Sequence, residues 1–288
     1  MSDVLKKWDL ALLEKLFLQA GDIALEYFQN PPAELKSDES VVTLADKKIE
    51  ELFTRYCDHA AEQVYLIGEE TVATHDEEYI LSALNSDCCW VLDPIDGTMP
   101  YSIQLPMWGI SLGLMQNKVI TEGAVYLPVL DKLLLTDGEK LLIKSLRRSE
   151  PWQEFKPAVS PLGNSGHIAI GQYPAHHWRF TSRNQICAWS SCVGSFYWLL
   201  TGKVSAYCGN FKLWDIAGLL PIMQRANYPV LSVEEPHIPL DCDLNKDMFE
   251  LTDTPDRWRV RVPIITACNK STALEFLSKI HRTATWQE

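Results

Sequence analysis

The chain has 288 residues, 47% of them hydrophobic and 22% charged, enough apolar material for a substantial core in one large domain or two closely packed ones. Extensive disorder is thereby excluded. Acidic side chains outnumber basic ones 38 to 26, a formal charge of −12, which argues against holding a nucleic acid polymer by bulk charge and means that an anionic ligand must meet a local reversal of sign, most simply a bound cation.

In chain order, Leu13, Phe17, Ala20, Ala24 and Phe28 recur at spacings of three and four and predict a helix over 9–28 that stops before Pro31-Pro32. Ile49, Leu52, Phe53 and Tyr56 predict a second helix over 44–60, with Thr43 as N-cap and Lys47, Lys48, Glu50 and Glu51 in solvent. The period then changes. Val64 to Ile67 is a buried strand closed by Gly68, delivering Glu69 and Glu70 at its end, and Cys88 to Leu92 is another, closed by Asp93-Pro94-Ile95-Asp96-Gly97-Thr98. Ligands of layered α/β sheets bind beyond strand ends, so these two acidic termini mark the place to look for a site.

Trp108 to Leu114 and Val119 to Leu127 predict an antiparallel meander, with turns at Gln116-Asn117, Pro128 and Asp137-Gly138. The polar stretch 144–165 carries Pro151, Pro157 and Pro161 and is the expected boundary between an N-terminal α+β half, residues 1–150, and a C-terminal α/β half, residues 151–288. In the second half, strands at 167–171, 186–189, 204–208, 229–233 and 264–267 alternate with helices at 194–201, 214–226 and 271–282, which implies α/β layers with a mixed sheet. Residues 234–262, rich in proline and charge, read as an excursion.

Eight cysteines are scattered without a C-x-x-C pair and are expected as reduced, mostly buried thiols. Asp3, Lys6, Lys7 and Asp9 interrupt the apolar residues of the N-terminus, unlike a signal peptide, and no run approaches the roughly 20 apolar residues of a membrane span. The expectation is a cytoplasmic chain with no membrane partner.

The most informative hexapeptide is Asp93 to Thr98. Proline biases Asp93 towards an extended conformation, so both carboxylates stand at a strand-to-turn junction, where two aspartates with a carbonyl between them can face hard cations such as Mg²⁺. Gly97 lets a phosphate approach the backbone, and Thr98 with the following amides can open a helix that receives an anion. Alone, the hexapeptide reads equally as an Asp-Pro turn followed by an N-cap. Gly68-Glu69-Glu70 alone is a solvated surface, and Trp214-Asp215-Ile216-Ala217-Gly218 alone is a capped helix start.

In this order the three segments resemble the signature set of the inositol monophosphatase superfamily. Lys36 and Thr43-Leu44-Ala45-Asp46 are similar to that family's lysine loop and Thr-x-x-Asp element, and Gly194-Ser195 followed by Gly202 to Tyr207 is similar to its Gly-Ser helix and next strand. The likeness covers most of residues 9–233. It implies a layered α-β-α-β-α sandwich of the inositol monophosphatase and fructose bisphosphatase type. It implies Glu69, Asp93, Asp96 and Asp215 as ligands of two or three Mg²⁺ ions, with the Ile95 carbonyl as a further oxygen. Glu69 and Thr98 would orient or deprotonate the attacking water, Asp46 would support Thr98, the Gly97 and Thr98 amides would hold the phosphate, and Asp96 is also a substrate-binding position. Gly194, Ser195, Cys208 and Lys212 fall at substrate-contacting positions, Lys212 towards a second phosphate or a carboxylate.

The chain departs from the family pattern at Met99-Pro100-Tyr101, where asparagine and an aromatic are usual, at Ser191 for an arginine, at Phe196 for a small residue, at Cys208 for a glutamate and at Arg225 to Tyr228 for an acidic, glycine-rich turn. These changes spare the metal ligands and alter the substrate wall. His176-His177 reads as surface, because adjacent side chains diverge. Asp241 to Asn245 begins like a calcium loop, but Lys246 stands where glycine is needed and Thr252 where the closing glutamate belongs. The leading expectation is a lithium-sensitive, Mg²⁺-dependent phosphomonoesterase for a small phosphorylated metabolite, and the resemblance suggests a homodimer. A 3′-phosphoadenosine phosphatase or a fructose bisphosphatase is the alternative within the same chemistry, and a non-catalytic regulatory or scaffolding homologue the alternative of another class.

Overall fold

The computed structural model describes residues 4–29, 33–35 and 41–282; Lys36 and Pro31-Pro32 lie outside them. The N-terminal apolar period becomes α1 (Leu10–Phe28), capped by the Asp9 carboxylate, which accepts from the Ala11 and Leu12 amides. After the antiparallel pair β1 (Ala33–Leu35) and β2 (Val41–Thr43), α2 (Leu44–Cys57) starts at Thr43 as expected and ends three residues short of the predicted 60. One solvent assignment on α2 is overturned. Lys47, Lys48 and Glu51 are exposed, but Glu50 is buried, because it lies one turn beyond the buried Asp46 and shares its face.

The predicted meander is the centre of a larger sheet. β3 (Tyr65–Gly68), then after α3 (Glu77–Leu84) β4 (Cys89–Asp96), and after α4 (Thr98–Ser102) β5 (Gly109–Gln116), β6 (Val119–Leu127), β7 (Lys132–Asp137), β8 (Lys140–Lys144) and β9 (Gln153–Glu154) lie side by side in chain order as seven strands. β3 and β4 are parallel and every later pair is antiparallel. The register of β4 on β5 shifts where the motif begins, since Asp93 opposes Ser111 and Asp96 opposes Gly109. Pro94 has no N–H to give the ladder, and the bulge turns the chain out of the sheet at the two aspartates.

The second sheet begins beyond 154. Its elements in chain order are β10 (Ile168–Ile170), α5 (Gln172–His177), β11 (Trp178–Phe180), β12 (Ile186–Cys187), α6 (Cys192–Leu200), β13 (Ala206–Gly209), α7 (Leu213–Ala217), α8 (Leu220–Arg225), β14 (Val230–Ser232), β15 (Ile264–Ala267), α9 (Lys270–Leu277) and β16 (Ile280–Arg282). The sheet has the order β12-β10-β13-β15-β14 and is mixed, with β12, β10 and β13 parallel and β15 antiparallel to both neighbours. Two helix expectations change. The run 214–226 divides into α7 and α8, where Ser111 Oγ accepts from Gly218 N at 3.3 Å and Pro221 brings no N–H. The run 271–282 stops at Leu277, and its last residues form β16, paired antiparallel with β11.

Three apolar clusters define the layers. α1 and α2 pack on one face of the first sheet through Leu16, Ile49, Trp90 and Leu112. The opposite face, carrying Val91 and Val125, shares one cluster with Phe196 of α6, Trp214 of α7, Ile222 of α8 and the near face of the second sheet at Tyr207 and Ile264. The far face of the second sheet, at Ile168, Cys208 and Ile265, is covered by Ala273 and Phe276 of α9. This is the expected α-β-α-β-α sandwich. All eight cysteines are free, six of them buried, and no helix among the described residues is long and apolar enough to cross a membrane.

Candidate active site

Strand alternation sets what the site contains. On β3, Tyr65 and Ile67 face the middle helices, so Glu69, just beyond the strand, follows on the same side. On β4, Cys89 and Val91 face the same way and Asp93 follows them. α7 brings Asp215 from across the layer, docked by Ser111 Oγ, which donates to the Trp214 carbonyl at 3.2 Å. Carboxylate oxygens of Asp93, Asp96 and Asp215 thus lie within 4.8 Å of one another. Glu69 lines the same cavity, of about 430 Å³, but its carboxylate stands outside that close group.

The three aspartates are held very differently. Asp96 is saturated by the start of α6, with Oδ1 accepting from Cys192 N at 2.9 Å and Oδ2 from Val193 N at 2.7 Å and Ser191 Oγ at 2.5 Å. Burial raises its pKa to about 6, against the pull of these donors. Asp215 Oδ2 accepts from the Lys212 amide at 2.8 Å, while burial first, then Glu69 and Asp96, push its pKa up to about 8. Asp93 is 1% exposed, and its Oδ1 is buried with no hydrogen-bond partner. Burial and the neighbouring carboxylates drive its pKa well up. An orphaned carboxylate oxygen among like charges is costly unless a cation meets it. A hard, oxygen-only donor set of this kind fits Mg²⁺, and Asp93, Asp96 and Asp215 are the groups that would hold it.

Beside them, Gly97 adopts φ +92°, and a Cβ there would fall 2.8 Å from Ser191 Cβ and 3.0 Å from the Met107 carbonyl oxygen. Only glycine makes this turn from β4 into α4. Thr98 Oγ1 donates to the Ile95 carbonyl at 3.0 Å and lies 3.4 Å from Asp46 Oδ1. Asp46 is fully buried, caps α2 through the Thr43 amide at 2.8 Å, and is raised to about 7 by burial. Behind Glu69, the Glu50 carboxylate accepts from the Glu70 amide at 2.9 Å and from the Thr71 amide at 2.8 Å and hydroxyl at 2.5 Å, and burial raises it to about 7 as well. A Cβ on Gly68 would fall 2.2 Å from Glu50 Oε1, so glycine there is what admits the carboxylate.

Of the residues singled out by sequence, Glu69, Asp93, Ile95, Asp96, Gly97, Thr98 and Asp215 meet at one cavity. Lys212 lines an adjoining chamber. Gly194, Ser195 and Cys208 do not reach the cavity. Gly194 and Ser195 are engaged in the first turn of α6, the Gly194 amide donating to Ser191 Oγ and the Ser195 hydroxyl to the Ser191 carbonyl. Cys208 is buried in the far cluster, because alternation along β13 gives the cavity to Tyr207 and turns its neighbour away. Phe196 supports the wall from behind, 5.2 Å from the Tyr207 ring and 6.3 Å from Phe211.

Sequence reasoning passed over Gln172, Tyr173, Tyr207, Asn210 and Phe211, which form the wall. The period-two pattern of β13 was the available signal for Tyr207; nothing local marks the others. Glu50 had a signal in its four-residue spacing from Asp46.

Comparison with known proteins adds kinship to this geometry. Residues 8–247 match the family model described as the inositol monophosphatase family. Inositol monophosphatase 1 of Bos taurus is 31% identical over 234 residues, 75% of this chain and 80% of that one. An uncharacterized protein of Sinorhizobium fredii, y4fL, is 26% identical over 235 residues, 76% and 78% of the two chains. Among solved structures, an IMPase of Thermotoga maritima superposes with a TM-score of 0.65 at 17% identity, over 93% of this chain and 96% of that one. An IMPase/NADP phosphatase complexed with Mg²⁺ and phosphate gives 0.67 at 17% identity, over 93% of each chain.

Proposed function

Because this chain belongs to the inositol monophosphatase family, we propose that it is a magnesium-dependent phosphomonoesterase that hydrolyses a small phosphate ester. The observation that carries the reading is the gathering of carboxylate oxygens of Asp93, Asp96 and Asp215 within 4.8 Å of one another, with Oδ1 of Asp93 buried and partnerless. Bound Mg²⁺ supplies charge neutralisation and an acidified water. The protein's own part is positional. The start of α6 fixes both oxygens of Asp96, the Lys212 amide fixes Asp215, and Gly97 and Thr98 line the cavity beside them, where the phosphate would lie.

Thr98 Oγ1, set between the Ile95 carbonyl and Asp46, is the group in this reading that orients the attacking water together with Glu69 and passes its proton on. Asp46 receives no substrate, since it is fully buried behind Thr98. The altered wall, with Tyr207 facing the cavity and Cys208 at the position where the family pattern has a glutamate, favours a substrate other than inositol monophosphate itself. Lithium sensitivity, a cytoplasmic location and a homodimer belong to the same reading.

Phosphate release from inositol, sugar and adenosine phosphates, with Mg²⁺ and with chelator, tests it. Release that requires the metal is the expected outcome. A well-folded protein that releases nothing with any of these substrates would favour a non-catalytic role.

A further inference from the structure

The cavity does not end at the aspartates. A second chamber, of about 350 Å³, adjoins it and shares Glu69, Asn210, Phe211 and Asp215 with it. Among the described residues lining the two chambers, the basic side chains are Lys212 and Arg259, and both are in the second. Their pairing is set by the backbone. Lys212 and Arg259 oppose each other in an antiparallel bridge, which places their side chains on one face, and Val260 N donates to the Phe211 carbonyl at 2.8 Å beside them. Arg259 comes from the 234–262 excursion, which is thereby tied to the mouth of the site.

Neither cation is consumed by the fold. Lys212 caps Asp215 through its backbone amide, leaving the side chain over the Trp214 ring, 5.2 Å from the centroid. Arg259 meets Asp256 at 3.4 Å, an ion pair open to solvent on both sides and hence weak. Asn210 lines both chambers, and its Oδ1 is buried with no hydrogen-bond partner, an acceptor left for a ligand's hydroxyl or amine to satisfy. In a chain of net charge −12, two adjacent cations beside a carboxylate cluster are a local reversal of sign.

We propose that this chamber is a second-anion subsite: the substrate is a phosphomonoester whose far end carries another phosphate or a carboxylate, held by Lys212 and Arg259, with a hydroxyl or amino group donating to Asn210 Oδ1. The proposal rests on the phosphatase reading and adds to it the class of substrate. A guanidinium and an ammonium on one side suit an anion's several oxygens, and the aspartates keep the scissile phosphate at the other end.

The test compares kcat/KM for a one-anion substrate, myo-inositol 1-phosphate, with two-anion substrates, fructose 1,6-bisphosphate and adenosine 3′,5′-bisphosphate, in the natural protein, Arg259→Met and Arg259→Lys. One two-anion substrate is expected to be preferred by at least about tenfold. Arg259→Met should lower that preference about tenfold, through KM, and Arg259→Lys should retain most of it, which a merely structural loss would not do. An active enzyme whose preference is the same in all three proteins overturns the subsite and leaves the phosphatase standing. No release from any substrate overturns both.

Discussion

Asp93 and Asp96 hang from one strand three positions apart, whereas the wall beside them, with Gln172, Ser191, Tyr207 and Asn210, is drawn from three segments of the second half. The turn in the acidic floor is fixed by short-range rules, a bulge at a proline and a glycine with φ +92°, and long-range contacts finish it, the start of α6 saturating Asp96 and α7 bringing Asp215. The wall is fixed by how two sheets meet through the middle helices. A short motif can therefore persist while the wall around it is rebuilt. The contrast teaches that the type of chemistry and the choice of substrate reside in parts of the molecule with different tolerance to change.

The sharpest way to break this division is at the floor. Asp93→Asn keeps the shape but removes the charge, and metal-dependent phosphate release is expected to fall about 10³-fold or more, read against an undiminished melting temperature. Activity within tenfold of the natural protein would mean that the floor is not where the reaction occurs. One step back, Glu50→Ala leaves the Glu70 and Thr71 amides without their acceptor. The Mg²⁺ concentration for half-maximal rate should rise about 10- to 100-fold. An unchanged midpoint would confine Glu50 to stability.

The floor should also respond to pH in a way the wall does not. Asp96 near 6 and Asp215 near 8 lie above the ordinary aspartate value, so the fold favours their protonated forms. Their contribution to stability is fully present below about pH 4 and is lost as pH rises through 6 to 8. In chelator, calorimetric melting should therefore fall between pH 5 and 8.5, and saturating Mg²⁺, which binds the ionised carboxylates, should flatten or reverse the slope. A melting temperature that rises over this range in chelator would contradict the burial that raises these groups. The smallest effect belongs to Ser191, which is part of the wall and also caps α6 and holds Asp96. Ser191→Ala should cost about 1 kcal/mol in denaturant unfolding; no loss would mean that the Cys192 and Val193 amides suffice to hold Asp96.

The turn from Asp93 to Thr98 was legible in the sequence because its rules are local. Asp93-Pro94 and Gly97 announce a turn, and Gly68-Glu69-Glu70 and Trp214-Asp215 gain meaning only through their order along the chain. Thr43 declared itself as a cap. The wall was less legible for the same reason inverted. Cys208 holds its place in the order of motifs, yet the two-residue period of β13 turns it into the far core and gives the cavity Tyr207. Arg259 sits 44 positions after Asp215 in an excursion without a period, and only the bridge to Lys212 places it. Glu50 was misassigned because glutamate on a helix is usually solvated, and its donors lie beyond the end of another element.

The middle layer has a consequence for the integrity of the chain. One apolar cluster contains Val91 and Val125 of the first sheet together with Tyr207 and Ile264 of the second, so neither half has a finished interior by itself. A cut between β9 and β10 would expose complementary greasy faces on two pieces, and each piece is the other's best solvent. Since Asp93 and Asp215 would travel on opposite pieces, recovered phosphate release on mixing would report that the two had found each other.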